Sequence, residues 1–197
     1  MQSGGPNIIL PEVLIVGYRN GFFPMGDSVT GRVLWHRPDP RAIIPLDAIA
    51  IPRSLRQTLR KAPYTITVNE CFEDVIQACA DRDDTWIAED VIDAYTELHR
   101  LGIAHSMEAW KGAELVGGLY GVAIGGAFFG ESMFSRQRDA SKVTFAHLAH
   151  RLTNRGFRLL DTQYINDFTA SLGAVEIPDA EYQALLAAAL AITAEFV

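Results

Sequence analysis

Three polar side chains stand where chemistry could be done. Glu131 sits in the far end of an otherwise apolar run, Gly130-Glu131-Ser132-Met133-Phe134, and Asp161 and Gln163 close a second, Arg158 to Gln163 (RLLDTQ). Both runs read as strands, and residues i and i+2 of a strand face the same side, so Asp161 and Gln163 can work together. A carboxylate can take a proton from a reacting group. Taken alone, an Asp–Gln pair reads more readily as structural than as catalytic. Other familiar chemistry is missing. There is no GxxxxGK[ST] nucleotide loop and no GxSxG nucleophile. His147 and His150 lie three apart without a third ligand nearby, so no metal is expected. His36, His99 and His105 are isolated and read as structural. Cys71 and Cys79 fall in what reads as one helix, which suits reduced core thiols rather than a disulfide or zinc set.

Glu131 is positioned by Glu114 to Ser135 (ELVGGLYGVAIGGAFFGESMFS). Gly125-Gly126 between two apolar runs signals a hairpin, with strands near 114–121 and 127–133. Glycine this dense lets something lie close to the backbone, either a ligand or a neighbouring strand. Before it, Leu10 to Tyr18 reads as a short helix with Pro11 in its first turn. A Pro, Gly and aromatic segment follows, with one short strand around Val33 to Trp35. Arg53, Arg56, Arg60 and Lys61 then share one side of a helix.

Composition changes at Ala62-Pro63, so a small N-terminal domain over 1–61 and a second domain over 62–197 are expected. The second begins with a β-branched strand, Tyr64 to Asn69. Phe72, Val75, Ile76 and Cys79 form a helical stripe; Val91, Ala94, Tyr95 and Leu98 form another that Gly102 closes. His105 to Trp110 is a strand leading into the hairpin. Asp139 or Ser141 can cap a helix whose face is Phe145, Leu148, Ala149 and Leu152. The 158–163 strand and a helix from near Asp179 finish the chain. The order predicts an α+β fold, a mixed sheet with helices packed on it, of the kind found in N-acetyltransferase-like (GNAT-like) acyltransferases.

The 197 residues carry a net charge of -7, which argues against a polyanionic partner, but the charge is unevenly spread. Residues 1–61 hold eight Lys/Arg against four Asp/Glu, and 136–158 hold six basic residues against one acid. The two basic surfaces could meet a polyanion while the acidic body meets a cation; ordinary solvated helix faces would look the same. No apolar run approaches the roughly 20 residues that span a bilayer, and the N-terminus lacks signal-peptide features, so a soluble cytoplasmic protein is expected.

At this point the sequence resembles the bacterial leucyl/phenylalanyl-tRNA protein transferases over nearly its whole length. The matching runs are GYRNGFFPM, WHRPDPRAIIP, TWIAEDVIDAYTELHRLGIAHSMEAW, LVGGLYGVAIGGAFFGESMFSRQRDASK and DTQYINDFTASLGAVEIP. The combination of GESMFS, then DTQ, then SLGA is specific. The resemblance implies a small N-terminal domain joined to a GNAT-like domain. It also implies transfer of Leu or Phe, with Met a less excluded third, from its tRNA ester to the α-amine of a protein beginning with Arg or Lys. That product marks the protein for the N-degron pathway.

By motif, the resemblance makes Asp161 and Gln163 the catalytic pair with Glu131 beside them. The pocket for the donor's apolar side chain would include Leu119, Phe128, Gly130, Met133, Phe145 and Leu148. Trp86 and Tyr95 would hold the terminal adenosine of the tRNA, helped by Tyr18. Arg53, Arg56, Arg60, Lys61, Arg136, Arg138 and Lys142 are candidates for its phosphates. An ester donor needs no ATP, so no cofactor is expected, and a monomer is expected. An N-terminal amine of pKa near 8 is about one-tenth neutral at pH 7, so orientation and proton acceptance matter more than a strong base. Gln163 would hold the attacking amine through its carbonyl, with Asp161 polarising it and accepting charge.

Three departures bear on donor preference and tRNA affinity: a late start, Met25 where an aromatic residue is common, and Asp179 where a basic one often sits. Two rival readings are a CoA-dependent N-acetyltransferase and a non-catalytic binder of basic protein N-termini. The first needs a glycine-containing pyrophosphate loop, where this chain has RQRDAS.

Overall fold

A computed structural model describes residues 9–27, 32–82, 85 and 87–197. Its centre is an antiparallel meander of β5 (Ala104–Lys111), β6 (Glu114–Ile124) and β7 (Ala127–Ser135). The short strand β4 (Thr65–Val68) pairs with β5 at one edge. On the other side β8 (Leu159–Gln163) runs parallel to β7, and β3 (Arg41–Ile44) and β9 (Val175–Ile177) follow, giving the order β4-β5-β6-β7-β8-β3-β9. The mixed α+β architecture expected from the sequence is therefore present.

The segment expected to hold one short strand holds three. β1 (Phe23–Gly26) and β2 (Val33–His36) make a separate two-stranded sheet, while β3 is buried at every residue inside the large one. A four-residue strand buried on both faces shows no alternation, which hides it among the neighbouring prolines. Residues 41–44, which precede the expected boundary at 62, thus belong to the main sheet.

Helices cover both faces. On one lie α1 (Pro11–Arg19), α3 (Phe72–Ala80), α4 (Glu89–Arg100) and α7 (Asp179–Leu190), packing Leu14, Val75, Ile76, Val91, Leu98 and Leu186 against Tyr120, Val122 and Phe129 of the sheet. On the other lie α2 (Arg53–Lys61), α5 (Ala140–Asn154) and the short α6 (Asp167–Ser171), with Leu55, Phe145, Leu148 and Leu152 against Leu119, Phe128 and Leu160. The predicted helical stripes are the buried faces of α3, α4 and α5, and the last helix, α7, buries Tyr182, Leu186 and Ala189. Of the two predicted caps, Asp139 occupies the N-cap position of α5, at φ 61, but its side chain makes no capping bond and faces Arg138 and Lys142 instead. No helix among the described residues is long and apolar enough to cross a membrane.

The glycines of the hairpin serve close packing by the protein itself, with one exception. A Cβ on Gly117 would stand 2.6 Å from that of Ala140 on α5, and one on Gly121 would stand 2.3 Å from the Phe129 carbonyl oxygen. Gly125 turns the hairpin at φ 58 and lies under the last carbonyls of α7. Gly130 alone in this stretch meets only one atom at 3.5 Å, the Asp161 carbonyl oxygen, and it borders a cavity.

Candidate active site

Two local features of the sheet create the site. First, the β6–β7 register slips where Tyr120 faces Ser132 but Gly121 faces Gly130, leaving Glu131 as the extra residue of a bulge. A bulge re-aims the side chain it carries. Second, the parallel pairing of β7 and β8 ends at Phe129 and Asp161, although β7 continues to Ser135. Past that point β8 reaches Gln163, whose φ of 66 ends the strand. The strands part, and a cavity of about 490 Å³ opens beside the gap.

Leu119, Gly130, Met133, Phe145 and Leu148, all expected in a donor pocket, line this cavity together with Phe168 of α6. Phe128 lies deeper: it is fully buried in the cluster behind them, stacked 5.2 Å from the Phe196 ring. Glu131 borders the same cavity from the β7 side. The apolar wall and the polar rim therefore share one space.

Glu131 is held by neutral donors. Tyr18 Oη donates to its Oε1 at 2.7 Å, Gln163 Nε2 donates to the same oxygen at 3.0 Å, and Tyr95 Oη reaches Oε2 at 3.2 Å. Tyr18 and Tyr95 also share a short hydroxyl contact. Burial pushes the Glu131 carboxyl up to about 7; the three hydrogen bonds oppose that shift, and the nearby Asp161 charge adds to it. Near neutral pH this carboxyl can both take and return a proton.

Asp161 is met differently. Arg41 grips it with two bonds, Nε to Oδ1 at 3.0 Å and Nη2 to Oδ2 at 2.7 Å, while Tyr182 Oη donates to Oδ2 at 2.7 Å and the Gln163 N–H donates to Oδ1 at 2.8 Å. Arg41 and Asp161 are 1% and 0% exposed, and the guanidinium is sandwiched over Phe23 and Tyr182 at 4.5 and 4.7 Å from their ring centres. Its remaining reach is to the Gly21 carbonyl at 3.0 Å. Asp161 and Gln163 are joined through the Gln163 backbone N–H and not side chain to side chain as the spacing predicts. The Gln163 side chain turns instead to Glu131, donating there through its amide nitrogen.

Tyr18 and Tyr95, expected beside a tRNA adenosine, are fully buried, so neither ring offers a free face; what they present is their hydroxyls, to Glu131. Trp86 lies outside the described residues. The α2 cations Arg53, Arg56, Arg60 and Lys61 are all exposed, as are Arg136, Arg138 and Lys142, and of this set only Lys142 borders the cavity. Met25 packs partly buried in β1. Asp179 caps no anion site: it pairs with Arg37 at 2.5 Å and ties α7 to the segment before β3.

Sequence reasoning missed Arg41, Tyr182, Arg82 and Phe168 as site residues. Tyr182 was visible only as a helix-face apolar residue. Arg41 carried one signal, a lone cation opening the apolar run Ala42-Ile43-Ile44, which must either reach solvent or find a buried anion.

A family model described as leucyl/phenylalanyl-tRNA protein transferase matches residues 43–187, and one for the N-terminal domain of that enzyme matches 8–39. Among curated relatives, the leucyl/phenylalanyl-tRNA–protein transferase of Gloeobacter violaceus is 49% identical, covering 95% of this chain and 97% of its own. Those of Chlorobaculum parvum and Rubrobacter xylanophilus are each 51% identical, covering 93% and 95% of this chain and 97% and 98% of theirs. The chain belongs to the leucyl/phenylalanyl-tRNA protein transferase family.

Proposed function

We propose that this protein transfers Leu or Phe from the 3′ end of an aminoacyl-tRNA to the α-amine of a protein that begins with Arg or Lys. Family membership supports the aminoacyl transfer. The observation that carries the residue roles is that Gln163 is tied to Asp161 by its backbone N–H and to Glu131 by its side-chain amide, and that Glu131 borders the apolar cavity. Leu119, Met133, Phe145, Leu148 and Phe168 receive the donor side chain, and Gly130 admits it close to the backbone. Such a wall separates Leu and Phe from polar residues readily and from Met weakly.

In this reading Gln163 accepts an N–H of the attacking amine on its carbonyl oxygen, which aims the nitrogen at the ester. Glu131 takes the proton that nitrogen sheds, at Oε2, where only the longer Tyr95 bond is made. Its carboxyl near 7 suits an amine whose own pKa is near 8. Asp161 acts at one remove: with Arg41, Tyr182 and the Gln163 N–H on it, it fixes the strand end from which Gln163 reaches out. Tyr18 and Tyr95 serve the tRNA end through Glu131 rather than by stacking, which leaves Trp86 as the stacking partner for the adenosine. The exposed cations of α2 and Arg136, Arg138 and Lys142 follow phosphates. We read the sheet as GNAT-like on its mixed order and its two helical layers, and the enzyme as a cytoplasmic monomer.

The test is transfer of labelled Leu and Phe from charged tRNA to a peptide beginning with Arg, beside one beginning with Ala, and with acetyl-CoA as a rival donor. Transfer from tRNA to the Arg peptide alone is expected. Acetylation instead, or binding of the Arg peptide without transfer, would replace this reading with one of its rivals.

A further inference from the structure

Tyr120 lines the same cavity, yet nothing above uses it. It is 0% exposed, and its hydroxyl has no hydrogen-bond partner among the described residues. Its ring packs edge-on against Phe72 and Tyr95, at 5.8 and 5.5 Å between centres, which holds the phenol in place. Around it lie the charged groups Glu131 and Arg82 and the thiol of Cys79. Glu131 lies nearby, but it accepts from Tyr18, Gln163 and Tyr95 and not from Tyr120. Burial first, then the Glu131 charge, raise the phenol's pKa well above its usual value. It therefore stays protonated, a neutral donor with nothing to donate to. A buried hydroxyl without a partner destabilises the fold. Such a group at the rim of a reaction cavity calls for an acceptor that arrives with the substrate.

The ester supplies one. When the amine nitrogen attacks, the new C–N bond forms and the carbonyl π pair moves onto oxygen. As that pair returns, the C–O bond to the ribose breaks. The ribose oxygen leaves with the bonding pair and takes up the proton that the nitrogen gave to Glu131, so the hydroxyl of the tRNA is restored. Between those two events the former carbonyl oxygen carries a full negative charge. Resting on the transferase reading, we propose that Tyr120 is a catalytic residue whose hydroxyl donates to the ester carbonyl oxygen of the aminoacyl donor and stabilises the oxyanion formed there.

Tyr120→Phe deletes this hydroxyl and keeps the ring, and it is to be compared with wild type in single-turnover transfer from Leu-tRNA to an Arg peptide. Loss of an oxyanion donor lowers the rate constant by about 10²–10³-fold. Binding of a non-reactive aminoacyl-adenosine amide should weaken by no more than about threefold, because the charge exists only in transit. The melting temperature should stay level or rise, because the orphaned hydroxyl is gone. A slower variant that is at least as stable supports the assignment. A variant that transfers at the wild-type rate overturns it, whatever its stability, and one that slows only in proportion to lost folded protein overturns it too. If wild type itself transfers nothing, the transferase reading fails and takes this inference with it; if wild type transfers and Tyr120→Phe matches it, only the role of Tyr120 fails.

Discussion

Asp161 and Glu131 sit on neighbouring parallel strands and share one face of the sheet, yet their surroundings differ in kind. Asp161 receives two bonds from a guanidinium, one from a phenol and one from a backbone amide, behind a closed wall. Glu131 receives two phenols and a side-chain amide, all neutral, and opens onto a cavity. Both carboxylates are well bonded, so the number of partners does not distinguish them. What does is whether a partner carries charge: with none beside it, burial dominates at Glu131 and the proton is held to about pH 7. One carboxylate is suited to holding a strand end and the other to exchanging a proton.

The comparison breaks most sharply at Glu131. Glu131→Gln keeps the shape and removes the proton acceptor, and single-turnover transfer should fall by about 10²–10⁴-fold with the melting temperature little changed. Gln163→Ala should also lose most turnover while donor binding stays within about twofold, since its task is orientation. Full activity in Glu131→Gln, together with an inactive but folded Asp161→Asn, would reverse the two roles.

At Asp161 the expected loss is stability. Arg41→Met strands a buried carboxylate and should cost about 3–5 kcal/mol in urea unfolding. Adding Asp161→Asn should restore part of that, because the stranded charge is then gone. A cost below about 1 kcal/mol would mean that the pair does not hold this region.

The pH dependence separates the two next. Below about 7 the Glu131 carboxyl is protonated, so it should add about tenfold per pH unit to the rise that the amine, of pKa near 8, contributes by itself, and Glu131→Gln should lose only the Glu131 part. Stability runs the other way. The folded chain holds this proton more tightly than the unfolded one, so the Glu131 contribution falls as pH rises from about 4.3 to the folded value. Glu131→Gln should flatten that slope.

Smaller effects come from moving one carboxylate without the other. Gly121→Ala would drive a Cβ to 2.3 Å from the Phe129 carbonyl oxygen and disturb the bulge that aims Glu131. A stability cost of about 1–3 kcal/mol and slower transfer are expected, with the Arg41–Asp161 pair intact. Smallest of all, Arg60→Ala should leave chemistry alone and lower the salt slope of tRNA binding by about one.

Much of this was legible beforehand because it is written locally. Helical stripes such as Phe72, Val75, Ile76 and Cys79 announce a buried face, and Gly125-Gly126 announces a hairpin. Asp161 and Gln163 could be paired from strand spacing, and GESMFS with DTQ and SLGA carried the family resemblance. The interior strand β3 was not legible, because four residues buried on both faces give no period to read. Nor was the purpose of the glycines: most admit a helix or a strand, and only Gly130 borders the cavity.

The sequence by itself determined most of the elements, the family and the identities of the three polar residues. Only the tertiary structure decided what each of them meets. Arg41 reaches Asp161 across 120 residues, and Tyr18 reaches Glu131 across 113. A one-residue slip between β6 and β7 turns Glu131 toward those partners, and the parting of β7 from β8 opens the cavity. Hydrophobic periodicity encodes which face of an element is buried, but a carboxyl's proton affinity depends on the charges and burial around it, and those come from chain segments far apart in sequence.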